Sequence, residues 1–117
     1  MRRMLIVDDE RDVCECLKQF FHTRGFVVFT AFSGEEALEH LEREDVDMIL
    51  LDILLPGLSG LEILKRAKAK NPRTRVIMVT ARDDADLRRE AWQYGASAYV
   101  TKPFDFSETT WSAVLHT

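Results

Sequence analysis

The stretch RRMLIVDDE, residues 2–10, joins two segments of opposite character. Residues 4–7 are wholly apolar, whereas Asp8, Asp9 and Glu10 are acids. A short run without a polar residue is typical of a strand that is covered on both faces, as in a parallel sheet. The acids then lie where that buried strand emerges into solvent, which is the edge where open α/β sheets bind ligands.

The same alternation of apolar runs and helical patterns continues along the chain. The apolar runs predict strands at 4–7, 26–31, 48–52, 75–80 and 98–101. The patterns with a helical period predict helices at 10–24, from Ser33, from Ser59 to before Asn71, at 83–94 and at 107–115. Two of these helices begin with possible capping boxes, Ser33 with Glu36 and Ser59 with Glu62. Five strand–helix units with short connections indicate one α/β domain over 1–117, with a five-stranded parallel sheet and helices on both faces.

Composition excludes several classes of protein. The 117 residues are 46% hydrophobic and 31% charged, with a net charge of −4, which disfavours direct binding of nucleic acid. We expect no membrane span, because no apolar run approaches the roughly 20 residues that a span needs, and no signal peptide. Cys14 and Cys16 do not form a C-x-x-C pair, so we expect reduced thiols and a cytoplasmic protein.

Four of the five predicted strands deliver chemically active side chains to one edge of the sheet. Asp8 and Asp9 follow the first strand, Asp52 ends the third, Thr80 ends the fourth and Lys102 follows the fifth. Two carboxylates about 4 Å apart repel by on the order of 4 kcal/mol at an effective dielectric of 20. Proton uptake or a bound cation relieves this repulsion, and a few carboxylates with retained waters suit Mg²⁺. Together with an ammonium and a hydroxyl, such a site fits a phosphoryl group, with a carboxylate as nucleophile.

Five segments carry a resemblance to a known family. They are LIVDDE at 5–10, FTAFSGEEAL at 29–38, DMILLDILLPGLSGLEIL at 47–64, VIMVTA at 76–81 and GASAYVTKPF at 95–104. In order and in spacing they resemble the receiver domain of bacterial two-component response regulators. The resemblance implies a flavodoxin-like, doubly wound (βα)5 fold with the strand order 2-1-3-4-5.

The resemblance also implies a phosphoacceptor and a metal site. Asp52 matches the aspartate that accepts the phosphoryl group. Asp8 and Asp9 match the acid pair that holds Mg²⁺ (with Mn²⁺ as a substitute), with Asp9 as the direct ligand and Asp8 acting through water. Asp52 and the backbone carbonyl of Leu54 match the remaining protein ligands.

Further residues match the family's switch. Thr80 matches the hydroxyl that bonds the phosphoryl oxygen, and Lys102 matches the lysine that pairs with it. Tyr99 matches the aromatic residue that moves inward with Thr80, and Lys102–Pro103 matches a peptide that is usually cis. By contrast, Glu10 is expected only to begin the first helix.

The resemblance implies the partners as well. The donor is the phosphohistidine of a sensor histidine kinase or of a histidine phosphotransfer protein. The face of the fourth helix, fifth strand and fifth helix signals to a downstream output domain or protein. The chain is expected to be a monomer or a phosphorylation-dependent dimer, and not an enzyme beyond its own phosphotransfer and self-dephosphorylation. Leu54 and Arg82 do not form a polar pair that places a water, which predicts slow self-dephosphorylation.

Two other functions stay open from the residues alone. An Mg²⁺-dependent phosphohydrolase with an aspartyl nucleophile typically has a general acid two residues later. Here Leu54 follows Asp52 at that spacing and Glu10 follows Asp8. A flavodoxin-like nucleotide or flavin binder needs a Gly- or Ser/Thr-rich phosphate loop after the first strand, and the acids at 8–10 disfavour one.

Overall fold

A computed structural model describes residues 2–116, so Met1 and Thr117 of the predicted 1–117 domain lie outside the described residues. Within this range strands and helices alternate five times, as the sequence predicts. The elements are β1 Arg3–Val7, α1 Arg11–His22, β2 Val27–Ala31, α2 Gly34–Arg43, β3 Met48–Leu51, α3 Gly60–Lys70, β4 Arg75–Thr80, α4 Ala85–Gln93, β5 Ala98–Thr101 and α5 Ser112–Leu115. Apart from α5, the predicted boundaries differ from these by one or two residues at most, which is the ordinary uncertainty of element ends.

The five strands form one parallel sheet in the order β2-β1-β3-β4-β5, which confirms the predicted fold. The strand order reverses between β1 and β3, and open α/β sheets bind ligands at this switch point. Val7 pairs with Leu51 at the carboxyl ends of these two strands. The residues that follow, Asp8 and Asp52, therefore leave the sheet side by side.

Side chains of β1 anchor the strand in two separate cores, because successive residues of a strand point to opposite faces. Met4 and Ile6 pack in the core that includes α1 and α5, whereas Leu5 and Val7 pack in the core that includes α2 and α3. All four are at most 1% exposed. Burial of each side chain contributes about 1.5–3 kcal/mol, so the strand that presents the acids is held firmly from both sides.

Of the two hydrogen bonds in each predicted capping box, the structure confirms the one accepted by the serine, at the start of both α2 and α3. The hydroxyl oxygens of Ser33 and Ser59 accept hydrogen bonds from the amides of Glu36 and Glu62, at 3.2 and 3.3 Å. The reciprocal bonds of a full capping box are absent among the described contacts. The Glu36 carboxylate accepts from the amide of Phe32, one residue before the cap, and the Glu62 carboxylate pairs with an arginine one turn later.

The last helix is shorter than predicted, because α5 has four residues in place of 107–115. Oδ1 of Asp105 accepts hydrogen bonds from the amide and hydroxyl of Ser107 and from the hydroxyl of Thr110. Such local bonds offer the backbone an alternative to the helix. The indole N–H of the fully buried Trp111 donates to the Asp105 carbonyl at 2.7 Å and closes the turn. Burial of this tryptophan fixes the turn, so the helix begins only after it.

Candidate functional site

Backbone hydrogen bonds fix the candidate site residues at the carboxyl edge of the sheet. The Asp8 amide donates to a carbonyl of β2 at 3.1 Å, and the Asp52 amide donates to a carbonyl of β1 at 3.0 Å. The Lys102 amide donates to the carbonyl of Thr80 at 2.8 Å. These residues therefore continue the hydrogen-bond ladder beyond the strand ends, and their side chains start from rigid positions.

One ammonium joins three carboxylates at this edge. Nζ of Lys102 lies 2.6 Å from Oδ2 of Asp8, 2.9 Å from Oδ2 of Asp52 and 2.9 Å from Oε1 of Glu10. The two aspartate side chains are 3% and 6% exposed, whereas the Glu10 side chain is 61% exposed. The lysine therefore compensates two buried charges and reaches one charge at the solvent boundary.

Backbone amides hold the other oxygen of each buried carboxylate. Oδ1 of Asp8 accepts from the amide of Glu10 at 2.9 Å, and Oδ1 of Asp52 accepts from the amide of Leu54 at 3.1 Å. In both cases the donor lies two residues further on, which is the geometry of an Asx turn. Each carboxylate is thus held between its own turn and the Lys102 ammonium, and this fixes the orientation of both groups.

The environment shifts the pKa values of two of these groups. Burial raises the pKa of Asp8, and the hydrogen bond from Lys102 opposes this shift without cancelling it. Burial would lower the pKa of Lys102, but its hydrogen bonds to Asp8, Asp52 and Glu10 outweigh that effect and raise it. Lys102 is therefore a permanent positive charge at neutral pH, while Asp8 has lost part of the acidity of a free aspartate.

Thr80 and Tyr99 are connected through one backbone segment. Thr80 is fully buried, and its hydroxyl oxygen accepts a hydrogen bond from the amide of Arg82 at 3.3 Å. The hydroxyl of the half-buried Tyr99 donates to the carbonyl of the same Arg82 at 2.7 Å. Any shift of the chain after β4 therefore acts on both of the predicted switch residues.

Arg88 on α4 holds the Tyr99 ring from the other side. Its guanidinium carbon lies 4.5 Å from the ring centroid, its Nε lies 2.6 Å from Oδ1 of Asp83, and its Nη2 donates to the Thr101 hydroxyl at 3.4 Å. Burial raises the pKa of Tyr99, so its hydroxyl is a neutral donor. The aromatic ring of β5 is thus tied to α4 and to the loop after β4.

The structure brings together three of the predicted site residues, Asp8, Asp52 and Lys102. The Lys102–Pro103 peptide is cis, as predicted. Asp9 is exposed and is not among the described side chains that contact Lys102. The Leu54 side chain is 50% exposed. The roles of Asp9 and of the Leu54 carbonyl as metal ligands stay predictions.

Two residues of the site were not predicted from the sequence. Glu10 does precede α1, as expected, but its carboxylate also contacts Lys102. Gly60 begins α3, and a Cβ atom at this position would lie 2.0 Å from the backbone oxygen of Asp52. The available signals were a third consecutive acid and a glycine in the first turn of a helix, where glycine lowers helix stability.

Comparison with protein families identifies the chain. A family model described as the response regulator receiver domain matches residues 4–112. The chain belongs to this family. This confirms the resemblance deduced from the sequence, and it makes the chain a receiver domain of the two-component response regulators, a class of signalling domains that act as phosphorylation switches.

Individual relatives differ in how much of their length the receiver domain covers. This chain is 39% identical over 106 residues to the sporulation initiation phosphotransferase F of Bacillus subtilis, an alignment that covers 91% of this chain and 86% of that protein. It is 36% identical over 106 residues to the transcriptional regulatory protein DltR of Streptococcus agalactiae, which covers 91% of this chain and 47% of that protein. The chain therefore spans nearly all of one relative and less than half of the other.

A solved structure has the same fold. A response regulator from Burkholderia pseudomallei matches with a TM-score of 0.90 and 25% identity, over 97% of this chain and 66% of that chain. That protein was crystallised with a phosphorylated aspartic acid, a calcium ion and citrate.

Among the described helices of the receiver domain, none has the length and apolar character that crossing a membrane requires.

Proposed function

We propose that Asp52 accepts a phosphoryl group from a phosphohistidine of a sensor histidine kinase or a histidine phosphotransfer protein. The observation that carries this proposal is the bridge that Lys102 makes between Asp52 and Asp8, since it places a fixed ammonium beside a buried carboxylate. The phosphorylated aspartic acid of the Burkholderia relative supports it. We also propose that the whole chain is one domain and that it is located in the cytoplasm. The two free thiols are consistent with that location.

The phosphoryl transfer needs no reactant other than the Asp52 carboxylate and the phosphohistidine. A carboxylate oxygen of Asp52 forms a bond to phosphorus while the bond from phosphorus to the histidine nitrogen breaks, and the electron pair of that bond stays on the imidazole. The Lys102 ammonium is within reach of the new phosphoryl oxygens, because it already contacts the Asp52 carboxylate. Electrostatic stabilisation of the transferred group is the main contribution that a protein makes to this reaction.

The donor set at the site fits a hard divalent cation. Carboxylate oxygens of Asp8, Glu10 and Asp52 all lie within 4.8 Å of one another. The carboxylates of Asp8, Asp9, Glu10 and Asp52 exceed the single Lys102 ammonium by three negative charges, and a divalent cation offsets two of them. Asp8, Asp52, the Leu54 carbonyl and Asp9 are the proposed holders of Mg²⁺, with Mn²⁺ as a substitute of the same oxygen preference. When bound, the ion supplies positive charge that offsets the charge of the phosphoryl oxygens.

Switching follows from the contacts of Thr80 and Tyr99. The Thr80 hydroxyl gives up its bond to the Arg82 amide and donates to a phosphoryl oxygen, which frees the segment that also holds Tyr99. The equilibrium between two arrangements of α4, β5 and α5 then shifts, and that face signals to an output domain or protein. The domain is a monomer or a phosphorylation-dependent dimer.

Slow self-dephosphorylation belongs to the same proposal. Leu54 is an apolar side chain, and Arg82 pairs with Asp84 at 3.2 Å. Neither side chain offers a carboxylate or amide oxygen to orient a water molecule towards the phosphoryl group. Phospho-Asp52 is therefore expected to persist rather than to decay rapidly.

The test uses a small phosphodonor. With acetyl phosphate and Mg²⁺, mass spectrometry is expected to show one added phosphoryl group in the wild type and none in Asp52→Asn. Asp45→Asn is the matched control, because it removes the same charge from an exposed position before β3, at the opposite end of that strand. Equal modification of Asp52→Asn would refute the assignment, and repeated turnover of phosphomonoesters would favour the phosphohydrolase.

A further inference from the structure

The carboxylate of Glu10 does not cap the helix that it precedes. Glu10 is the N-cap residue of α1, but its side chain makes no capping hydrogen bond. The described partner of its carboxylate is the Lys102 ammonium, 92 residues away in the chain. An N-cap position normally favours Ser, Thr, Asp or Asn, whose shorter side chains reach the first helical amides. A glutamate here gives up that contact and reaches the phosphoacceptor site.

The backbone prepares Glu10 for this contact. Its amide donates to Oδ1 of Asp8, while Oδ2 of the same Asp8 accepts from Lys102. Asp8, Glu10 and Lys102 therefore form a closed ring of three contacts. The ring aims the glutamate side chain at the ammonium, although that side chain is 61% exposed.

We propose that Glu10 is a positioning residue that holds Lys102 in the unphosphorylated state and competes with the phosphoryl group for its ammonium. This inference rests on the proposed function of Asp52. A phosphoryl group on Asp52 needs the ammonium for its own oxygens. The bonds of Lys102 to the two aspartates are sheltered from water, whereas the bond to Glu10 is exposed to water and is the weakest competitor. Glu10 therefore raises the threshold for activation modestly, without blocking it.

The effect of removing this competitor is measurable with beryllofluoride, which mimics a phosphoryl group on a carboxylate. At saturating Mg²⁺, Glu10→Gln is expected to bind beryllofluoride more tightly by on the order of two- to fivefold, the range of an exposed ion pair. Isothermal titration calorimetry gives the affinity directly. Glu15→Gln is the matched control, since it removes the same charge from an exposed position of α1 that contacts only Gln19 among the described bonds.

A second variant separates contact with Lys102 from a general effect of charge. Glu10→Asp keeps the charge but is one methylene shorter, and aspartate at an N-cap turns towards the helix amides. If contact is the cause, Glu10→Asp also binds beryllofluoride more tightly than the wild type. Wild-type affinity in Glu10→Asp, or in Glu10→Gln, would overturn the inference. If the wild type itself neither binds beryllofluoride nor accepts a phosphoryl group, the proposed function fails instead. Unchanged thermal unfolding of the variants shows that the fold is intact.

Discussion

Gly60 offers a sharp test of how closely α3 packs against the phosphoacceptor. Its amide donates to the carbonyl of Ile53 at 2.9 Å, so the first turn of α3 lies directly on the chain that follows Asp52. A Cβ atom at this position would lie 2.0 Å from the Asp52 carbonyl oxygen and 2.7 Å from the Ile53 Cα. Ordinary contacts of a Cβ begin at 3.4 Å. Gly60→Ala therefore requires backbone movement of more than about 1 Å at the residue that we propose to be phosphorylated.

The cost of this substitution has two opposing parts. Overpacking against a well-packed interior typically costs about 1–3 kcal/mol, and here the obstacle is backbone, which places the cost at about 3 kcal/mol or more. Alanine in place of glycine returns at most about 1 kcal/mol, which is the gain in a helix interior, because Gly60 is the first residue of α3. The expected net loss in the free energy of unfolding is about 2 kcal/mol or more, a large part of the roughly 5–15 kcal/mol that stabilises a domain.

Gly25→Ala is the control, because it adds the same methyl group at a position where a different physical effect opposes it. Gly25 has φ of +92°, and nothing lies within 4 Å of the place that a Cβ atom would occupy, so only backbone strain opposes the alanine, at a cost of about 1 kcal/mol. Urea unfolding at constant m-value compares the two variants. Beryllofluoride binding is expected to fail in Gly60→Ala and to persist in Gly25→Ala. The reasoning is refuted if Gly60→Ala is no less stable than Gly25→Ala and still binds beryllofluoride.

Two further outcomes follow from individual side chains. Burial raises the pKa of the Cys14 thiol to about 12, whereas Cys16 is exposed. A thiol reagent at neutral pH is therefore expected to label one cysteine in the native protein and two in denaturant. Hydrogen bonds from neighbouring hydroxyls lower the pKa of Asp105 in the folded protein below its ordinary 3.8. The ionised Asp105 carboxylate therefore stabilises the fold above pH 3.8, and this stabilisation is lost as the pH falls through the pKa of the folded protein. Asp105→Asn is expected to flatten the acid side of a stability–pH profile, and an unchanged profile would contradict this.

The central strands were predictable because burial on both faces leaves only apolar residues in them. The runs at 4–7, 48–52 and 75–80 coincide with β1, β3 and β4 to within one residue, and the residues that follow parallel strands share one edge by topology alone. The last helix was not predictable in the same way. Its pattern has a helical period, but the turn at Asp105 depends on three hydroxyl and amide donors closing on one oxygen and on the burial of Trp111. Propensity and period do not encode that competition.

The side-chain contacts of the site were likewise predictable from the sequence only in part. The sequence places Asp8, Asp52 and Lys102 at the carboxyl ends of β1, β3 and β5, on one edge of the sheet, and the long Lys102 side chain reaches both aspartates from there. Glu10 reaches the ammonium only because of the conformation of the turn before α1 and the length of its side chain. Gly60 matters only because α3 approaches the Asp52 backbone closely. Both features depend on distances between elements, which a single sequence does not give.

On the proposed function, charge at Asp52 reaches Tyr99 by two connections. One runs from Thr80 through the backbone of Arg82, whose amide and carbonyl bind the two hydroxyls. The other runs from Lys102 into β5, because the lysine directly follows the strand that contains Tyr99. A phosphoryl group on Asp52 attracts both the Thr80 hydroxyl and the ammonium, so the two connections act in the same direction. Since the exposed Glu10 bond is the one that the ammonium gives up most readily, Glu10 adjusts the second connection without altering the first.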